Sequence, residues 1–412
     1  MKLAILLHLY QPVTQSEKTF KDIAESSYLP LIKLLKNRKN FKLTLNIPLS
    51  LLEQMDKYGY HQWLKDVKEL TDGEYIELVG SGAYHPLLTK LPREIVQNQI
   101  ILNEYGLGYY LGRRTGFEGE QAIMIRDLSG FFAPELAVDE TLHQILEQLD
   151  YSWMLVDSAA VGGNTGAYKL NDSSCHLIAR DTNLSNFFAF SRGLALNESL
   201  SYLSLSSDTV VALDGETFGH HNKDGIHFLG KVIERLLDND IEFVTVSEFL
   251  EDAIAESAIK KIDSFKETTW SYLEGTNAYH LWEGNKMQDI LWEIYNKIVT
   301  EFDPTKIKDS HADMENIAFW KKEDVPEDIK YELAFNQLLS SDPFWWLSGE
   351  QVGESVLYNR PMVQAFIDRF AAFAEEFENK ELKDFIEKKA QELYKEMTNY
   401  ETNNAPTSVS AS

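Results

Sequence analysis

The sequence of 412 residues predicts an α/β fold with a parallel sheet buried on both faces. Three observations carry that prediction. Through roughly Leu250, short runs rich in β-branched and aromatic residues alternate with longer amphipathic stretches. The short runs are nearly continuous in apolar residues, as strands covered by helices on both sides must be. Many of them end in a polar residue: His8, Asn46, the Gly80–His85 segment, Glu135, Asp157, Asp181, Asp214 and Ser247. Seven or eight such units fit either an open doubly wound sheet or a closed barrel. The polar strand ends favour the barrel, because barrels gather their chemistry at the carboxyl ends of many strands. Asp157 and Ser247 suit plain helix capping as well.

In chain order the expected strands are KLAILLHL, FKLTLNI, YIELVG, SGFFAPE, YSWMLV, CHLIAR, TVVALD and FVTVS. Helical patterns between them include YLPLIKLLKN, LLEQMDKYGYHQWLKDVKEL, REIVQNQIILNEYGLGYYL and ETLHQILEQL. After about Glu251 the pattern turns mainly helical, from DAIAESAIKKI to VQAFIDRFAAFAEEFENKELKDFIEKKAQELYKEM. The expected organisation is a β/α barrel over residues 1–255, a helical bundle packed on it over 256–400, and a disordered tail over 401–412. No phosphate-cradling glycine loop of the Walker or Rossmann type occurs.

Acidic residues outnumber basic ones 65 to 39, a formal charge of −26. That balance opposes binding to nucleic acid or to an anionic membrane, since both need clustered Lys and Arg. One cysteine, Cys175, excludes an intramolecular disulfide and a Cys-based zinc knuckle, and its apolar flanks read as a buried structural thiol. The opening MKLAILLHLYQP lacks a small-residue cleavage site, and no window reaches the ~18 apolar residues of a spanning helix. A cytoplasmic location is therefore expected.

The densest chemistry lies in VVALDGETFGHH. A strand delivers Asp214, Gly215 and Glu216, and alternation puts the two carboxylates on one side of an extended backbone. Buried carboxylates are costly unless paired or used. Glu216 serves a structural role as readily as a functional one, while His220 could simply be packed. GFFAPELAVDE carries Glu135, which Pro134 holds at the end of an extended approach. Alone it suits a helix N-terminus; together with Asp214 it forms a nucleophile and acid dyad. His8, Tyr10 and Gln11 leave the first strand, and His85 leaves a glycine-rich turn. WSYLEG adds Trp270, Tyr272 and Glu274, and SDPFWW adds Asp342, Trp345 and Trp346. Aromatic rings beside polar groups suit sugars, which have an apolar face and a rim of hydroxyls. His220, His221, Asp224 and His227 lack the spacing of a tetrahedral metal site, so no metal is expected.

At these residues the chain resembles glycoside hydrolase family 57, the second major α-amylase family. LHLYQP, GSGAYHP, GFFAPE, ALDGETFGHH and WSYLEGT resemble its five short regions in order, and RDTNLS and SDPFWW are family-like too. The resemblance runs from Met1 to about Trp346. It implies a (β/α)7 barrel, an α-helical region that helps close the active-site cleft, and a retaining mechanism without metal or organic cofactor. Glu135 falls on the family nucleophile and Asp214 on the acid/base. Asp181, Glu216 and His220 join the expected sugar contacts. Tyr10 replaces the second His of the family's His-x-His-Gln-Pro pattern and cannot become a cation. His221-Asn222 stand where branching enzymes often carry Trp-Trp. The resemblance implies an α-1,4-glucan hydrolase, with 4-α-glucanotransferase as the alternative, and an α-glucan oligosaccharide or polysaccharide as its partner. Two readings from other classes are a metal-dependent polysaccharide deacetylase, whose Asp-Asp and His-x3-His signatures are missing, and a non-catalytic glucan-binding protein.

Overall fold

Period-two alternation sorts the first strand into two files, and the fold follows from that sorting. In β1 (Lys2–His8), Leu3, Ile5 and Leu7 join a core with the outer helices, while Ala4 and Leu6 join a second core inside the sheet. The computed structural model describes residues 1–38, 40–112, 128–190, 207–302, 327–352 and 355–404. The described chain divides into two compact units, one including residues 1–270 and the other residues 271–302 and 327–404.

In the first unit β1 pairs in parallel with β2 (Leu43–Asn46) on one edge and β8 (Thr209–Asp214) on the other. β2 pairs with β3 (Ile76–Val79). A second sheet runs from β4 (Gly130–Phe131) through β5 (Trp153–Asp157) to β7 (His176–Arg180), again in parallel. Two seams join the sheets. Gly80 N donates to Gly130 O at 2.9 Å and Phe132 N to Gly80 O at 3.0 Å, while Asp181 N donates to Val210 O at 2.7 Å. The result is a ring of seven parallel strands, the (β/α)7 arrangement. Its inner core holds Ala4, Leu6, Val79, Phe132, Trp153, Leu155, Ile178, Val210 and Ala212. The helices outside it include α1 (Glu17–Ile23), α2 (Leu29–Lys36), α3 (Leu49–Lys57), α4 (His61–Asp72), α5 (Arg93–Leu111), α6 (Glu140–Gln148), α7 (Thr182–Phe190) and α8 (Gly225–Leu237). A π-helical turn, Ala24–Tyr28, separates α1 from α2.

Several elements differ from the sequence expectation. β6 (Gly166–Leu170) runs antiparallel to β7, and β9 (Glu242–Val244) pairs with the Lys2–Ala4 end of β1. The stretch DAIAESAIKKI is not one helix. α9 (Val246–Ala255) ends before Ser257, which turns at φ +58°, and Lys260–Ile262 then forms β10 beside β6. The first unit consequently extends past residue 255 to Trp270. Ser247 does not cap α9: Thr245 does, its hydroxyl accepting from Glu248 N while the Glu248 carboxylate accepts from Thr245 N. Ser247 instead accepts from Trp153 Nε1 at 2.8 Å and donates to Glu77. LLEQMDKYGYHQWLKDVKEL splits into α3 and α4 at Gly59, φ +84°. Cys175 is buried, and burial pushes its thiol up to about 12.

The second unit is helical, with α10 (Lys286–Glu301), α11 (Glu327–Gln337), α12 (Asp342–Trp345), α13 (Arg360–Glu376) and α14 (Lys380–Asn403). α14 packs against α10 and α13 around Leu291, Ile294, Phe366, Phe370, Leu393 and Met397. Of the expected tail, Glu401–Asn403 belong to α14, and residues 405–412 lie outside the described residues. No described helix is long and apolar enough to cross a membrane.

Gly130 gives the β4–β5 pairing a direct test. A Cβ there would sit 1.9 Å from Trp153 Cζ2, inside a packed barrel. Gly130→Ala is expected to destabilise the protein by about 1–3 kcal/mol, the usual range for overpacking, as read from denaturant unfolding.

Candidate active site

The inward-facing file of five barrel strands ends in a polar side chain. Ala4 and Leu6 lead to His8, Thr44 to Asn46, Trp153 and Leu155 to Asp157, Ile178 to Arg180, and Val210 and Ala212 to Asp214. Parallel register then sets them side by side. His8 lies opposite Asn46 on one edge and Asp214 on the other, and Asp157 lies opposite Arg180. The carboxyl mouth of the barrel is thus a layer of ionisable groups above an apolar plug.

His8 bridges across this layer. Its Nδ1 lies 2.6 Å from Asn46 Oδ1, and its Nε2 lies 3.1 Å from His85 Nε2. His85 Nδ1 in turn faces Glu135 Oε1 at 3.7 Å. Burial pushes His8 down to about 4 and His85 well below the ordinary imidazole range, with His8 adding to the second shift. Both rings are therefore neutral near pH 7. Tyr10 stacks on His85 with ring centroids 3.9 Å apart, and Phe132 stacks on His8 at 5.0 Å.

Glu135 is buried, and its backbone is left-handed at φ +59°, as are His85 at +61° and Leu136 at +47°. Such conformations cost roughly 1–3 kcal/mol each in non-glycine residues and persist where packing holds them. Trp270 does much of that holding. Its Nε1 donates to Glu135 Oε2 at 3.1 Å and its backbone N donates to Glu135 O at 3.0 Å.

Asp214 and Glu216 flank Gly215 in a short turn after β8. Asp214 keeps part of its surface open to the mouth, yet the surrounding protein strips most of its hydration. Its carboxyl is raised well above the ordinary range, first by burial and then by the negative charge of Glu216, with Arg180 opposing. Glu216 is raised less, because hydrogen bonds from Tyr28 Oη and Tyr10 N favour its charged form. Gln11 donates from Nε2 to Tyr28 Oη at 3.0 Å.

Asp181 and His220 stand apart from this cluster. The Asp181 carboxylate accepts from Leu184 N at 2.8 Å and caps α7. His220 lies in a turn rather than on a strand, exposed, with its ring 5.0 Å from that of His221. Tyr272, Glu274, Asp342, Trp345 and Trp346 belong to the second unit. Glu274 is exposed, Tyr272 and both tryptophans are partly buried, and Asp342 opens α12 and accepts from Ser340 Oγ. Among the described residues, no three His, Cys, Asp or Glu side chains come together as a metal cage.

Three residues of the layer, Asn46, Asp157 and Arg180, are not among the expected site residues. Asn46 orients His8, and its position as the polar end of an alternating strand was the available signal. Asp157 and Arg180 form a buried ion pair, with Arg180 Nε donating to Asp157 Oδ2 at 2.9 Å. Asp157 also caps the following turn by accepting from Ala159 N. Arg180 donates further to Ala212 O and Trp270 O, so one guanidinium ties β5, β8 and the Trp270 backbone together.

A closed parallel β/α barrel with ionisable groups on the carboxyl ends of its strands is the architecture of barrel enzymes. The model of glycosyl hydrolase family 57 matches residues 6–262, and the chain belongs to that family. An alpha-amylase from Pyrococcus horikoshii is 24% identical over 151 residues, which is 37% of this chain and 22% of that protein. Among solved structures, a branching enzyme from Pyrococcus horikoshii superposes with a TM-score of 0.65 at 17% identity, covering 94% of each chain. A 4-alpha-glucanotransferase from Thermococcus litoralis superposes with a TM-score of 0.63 at 16% identity, over 90% of this chain and 58% of that one. These likenesses share the fold.

Removing one partner of the buried pair leaves the other charged and unpaired. Asp157→Ala is expected to cost about 3–5 kcal/mol of stability in chemical unfolding.

Proposed function

We propose that this chain is a retaining α-1,4-glucan hydrolase, with Glu135 as nucleophile and Asp214 as acid/base. The observation that carries the reading is Asp214 at the inward-facing end of its strand beside Glu216, where burial raises its carboxyl, in the same mouth as the Glu135 carboxyl held by Trp270. Membership of the family supports it, as does the alpha-amylase named above.

In the first step the Glu135 carboxylate attacks the anomeric carbon, the glycosidic C–O bond breaks, and the departing oxygen takes the proton of Asp214. In the second step Asp214, now ionised, takes a proton from water. That water adds to the anomeric carbon and Glu135 leaves as carboxylate. Neutral His8 and His85 add no positive charge that would pull the Asp214 proton away. If a sugar hydroxyl takes the place of water, the same groups perform 4-α-glucan transfer, and the likeness to a glucanotransferase fold keeps that second reading in view.

Incubation with maltoheptaose and separation of products by size tests both readings. Shorter products alone support hydrolysis; products both shorter and longer than the substrate support transfer. Asp214→Asn is expected to lose roughly 10²–10⁴-fold in rate, the contribution of a general acid, and Glu135→Gln to abolish turnover. No turnover by the unaltered protein on any linear α-glucan overturns the proposal.

The pH profile carries a second expectation. Catalysis needs Asp214 protonated, so activity is present below its raised pKa and falls as pH rises through it. The basic limb of kcat/KM is therefore expected well above the ordinary carboxyl range, and a limb near pH 4 would contradict the assignment.

A further inference from the structure

Glu216 and Asp214 sit two residues apart in one buried turn, and they are not equally equipped to carry charge. Glu216 Oε1 accepts from Tyr10 N at 3.0 Å and from the Tyr28 hydroxyl. No hydrogen bond to the Asp214 carboxyl is found among the described residues. Two carboxyls this close titrate as a pair, and the shared charge settles where donors await it. We propose that the Tyr28 hydroxyl decides which of the two keeps the proton near neutral pH: by donating to Glu216 it makes Glu216 the anion and leaves the proton on Asp214. The inference rests on the assignment of Asp214 as acid, and it makes Tyr28 a positioning residue acting through Glu216.

The surroundings of Tyr28 fit this role. Its ring is fully buried. Gln11 Nε2 donates to the hydroxyl oxygen at 3.0 Å, which occupies an oxygen lone pair and leaves the hydroxyl proton for an acceptor. Two acceptors lie within reach, Tyr10 O at 3.1 Å and the Glu216 carboxylate, and the ionised one is the stronger. The backbone of Tyr28 belongs to the π-helical turn and is pinned by Trp63 Nε1, which donates to its carbonyl at 3.1 Å. The same turn grips the acidic turn from behind. Ser27 Oγ donates to Gly215 O at 3.0 Å, and Gly219, at φ +113°, approaches so closely that a Cβ would lie 1.8 Å from Ser26 O. An irregular π turn in a helical segment is a feature often found at functional sites. Tyr10 N and the Gln11 side chain also favour charge on Glu216, but neither is an ionisable group. Of the ionisable groups facing the pair, Arg180, from β7, is committed to Asp157, and burial lowers the basicity of His8, from β1.

The test reads the carboxyls directly and needs no substrate. Carbon-13 NMR of protein labelled at Asp and Glu carboxyls, with Asp214→Asn and Glu216→Gln assigning the signals, follows both groups through pH. In the unaltered protein Glu216 is expected to ionise first. Tyr28→Phe is expected to raise the Glu216 midpoint and lower that of Asp214 by about one unit, equivalent to a tenfold change in ionisation. Activity then falls about tenfold on the alkaline side of the optimum and is kept on the acid side. Ser27→Ala, which loosens the same turn without touching Glu216, is expected to move neither midpoint. An Asp214 midpoint unchanged in folded Tyr28→Phe overturns the inference, as does an equal shift in Ser27→Ala. If Tyr28→Phe does not fold, Glu216→Gln decides: removal of the anion lowers the Asp214 midpoint if the pair is coupled as described, and an unmoved midpoint overturns it. Failure to cleave maltoheptaose bears on the glucan reading alone, because the titration stands without it.

Discussion

Six residues of β1 run beside six of β8, Leu3 against Thr209 through His8 against Asp214. A slip of one residue in that ladder would turn every side chain of β1 to the opposite face, driving Ala4 and Leu6 out of the barrel and His8 away from Asp214. The apolar files, Leu3, Ile5 and Leu7 outward and Ala4 and Leu6 inward, hold the register through burial. The chemistry at the mouth inherits its geometry from packing below it. His8 meets Asn46 because β1 already stands in register with β2, and from there its Nε2 reaches His85.

What holds the layer in place is mostly uncharged. Two histidines, an asparagine and a tyrosine hydroxyl line the mouth beside the carboxyls of Glu135, Asp214 and Glu216, while the Arg180 guanidinium is used on Asp157 and on backbone carbonyls. In a poorly solvated mouth a free cation near Asp214 would pull the proton off it. Three left-handed residues, His85, Glu135 and Leu136, lie in the same place, and the paired hydrogen bonds from Trp270 hold Glu135 there. The site is thereby ordered before any ligand arrives, which is the condition under which fixed dipoles stabilise developing charge most effectively.

The parallel barrel could be read from the sequence because its signal is local and repeated: apolar runs, each closing on a polar residue, separated by amphipathic helices. Glu135, Asp214, His8 and His85 were legible for the same reason, each standing at the end of such a run or in a glycine-rich turn. β6 and β10 were not, since their residues alternate weakly and their pairing is decided by tertiary partners. Tyr28 was hidden in another way. It falls in an amphipathic stretch where an aromatic residue reads as core, and its ring is core, but its hydroxyl partner lies 188 residues further along. Asp157 looked like a cap and is one, yet its second task as the partner of Arg180 depends on β5 and β7 being neighbours.

The edges of β1 have a consequence for how the chain is made. Its lower edge is completed by β9, its opposite edge by β8, and Lys2 N reaches across 206 residues to Asp208. At bacterial or eukaryotic rates of ~5–20 residues per second, the ribosome needs roughly 10–40 s to supply those partners. During that interval β1 can pair only with β2, and one flank of its apolar ladder stays open. Among the seven strands of the ring, the one that organises the finished barrel is thus the last whose pairing is completed, and the nascent chain is most exposed to misassociation just before β8 and β9 emerge.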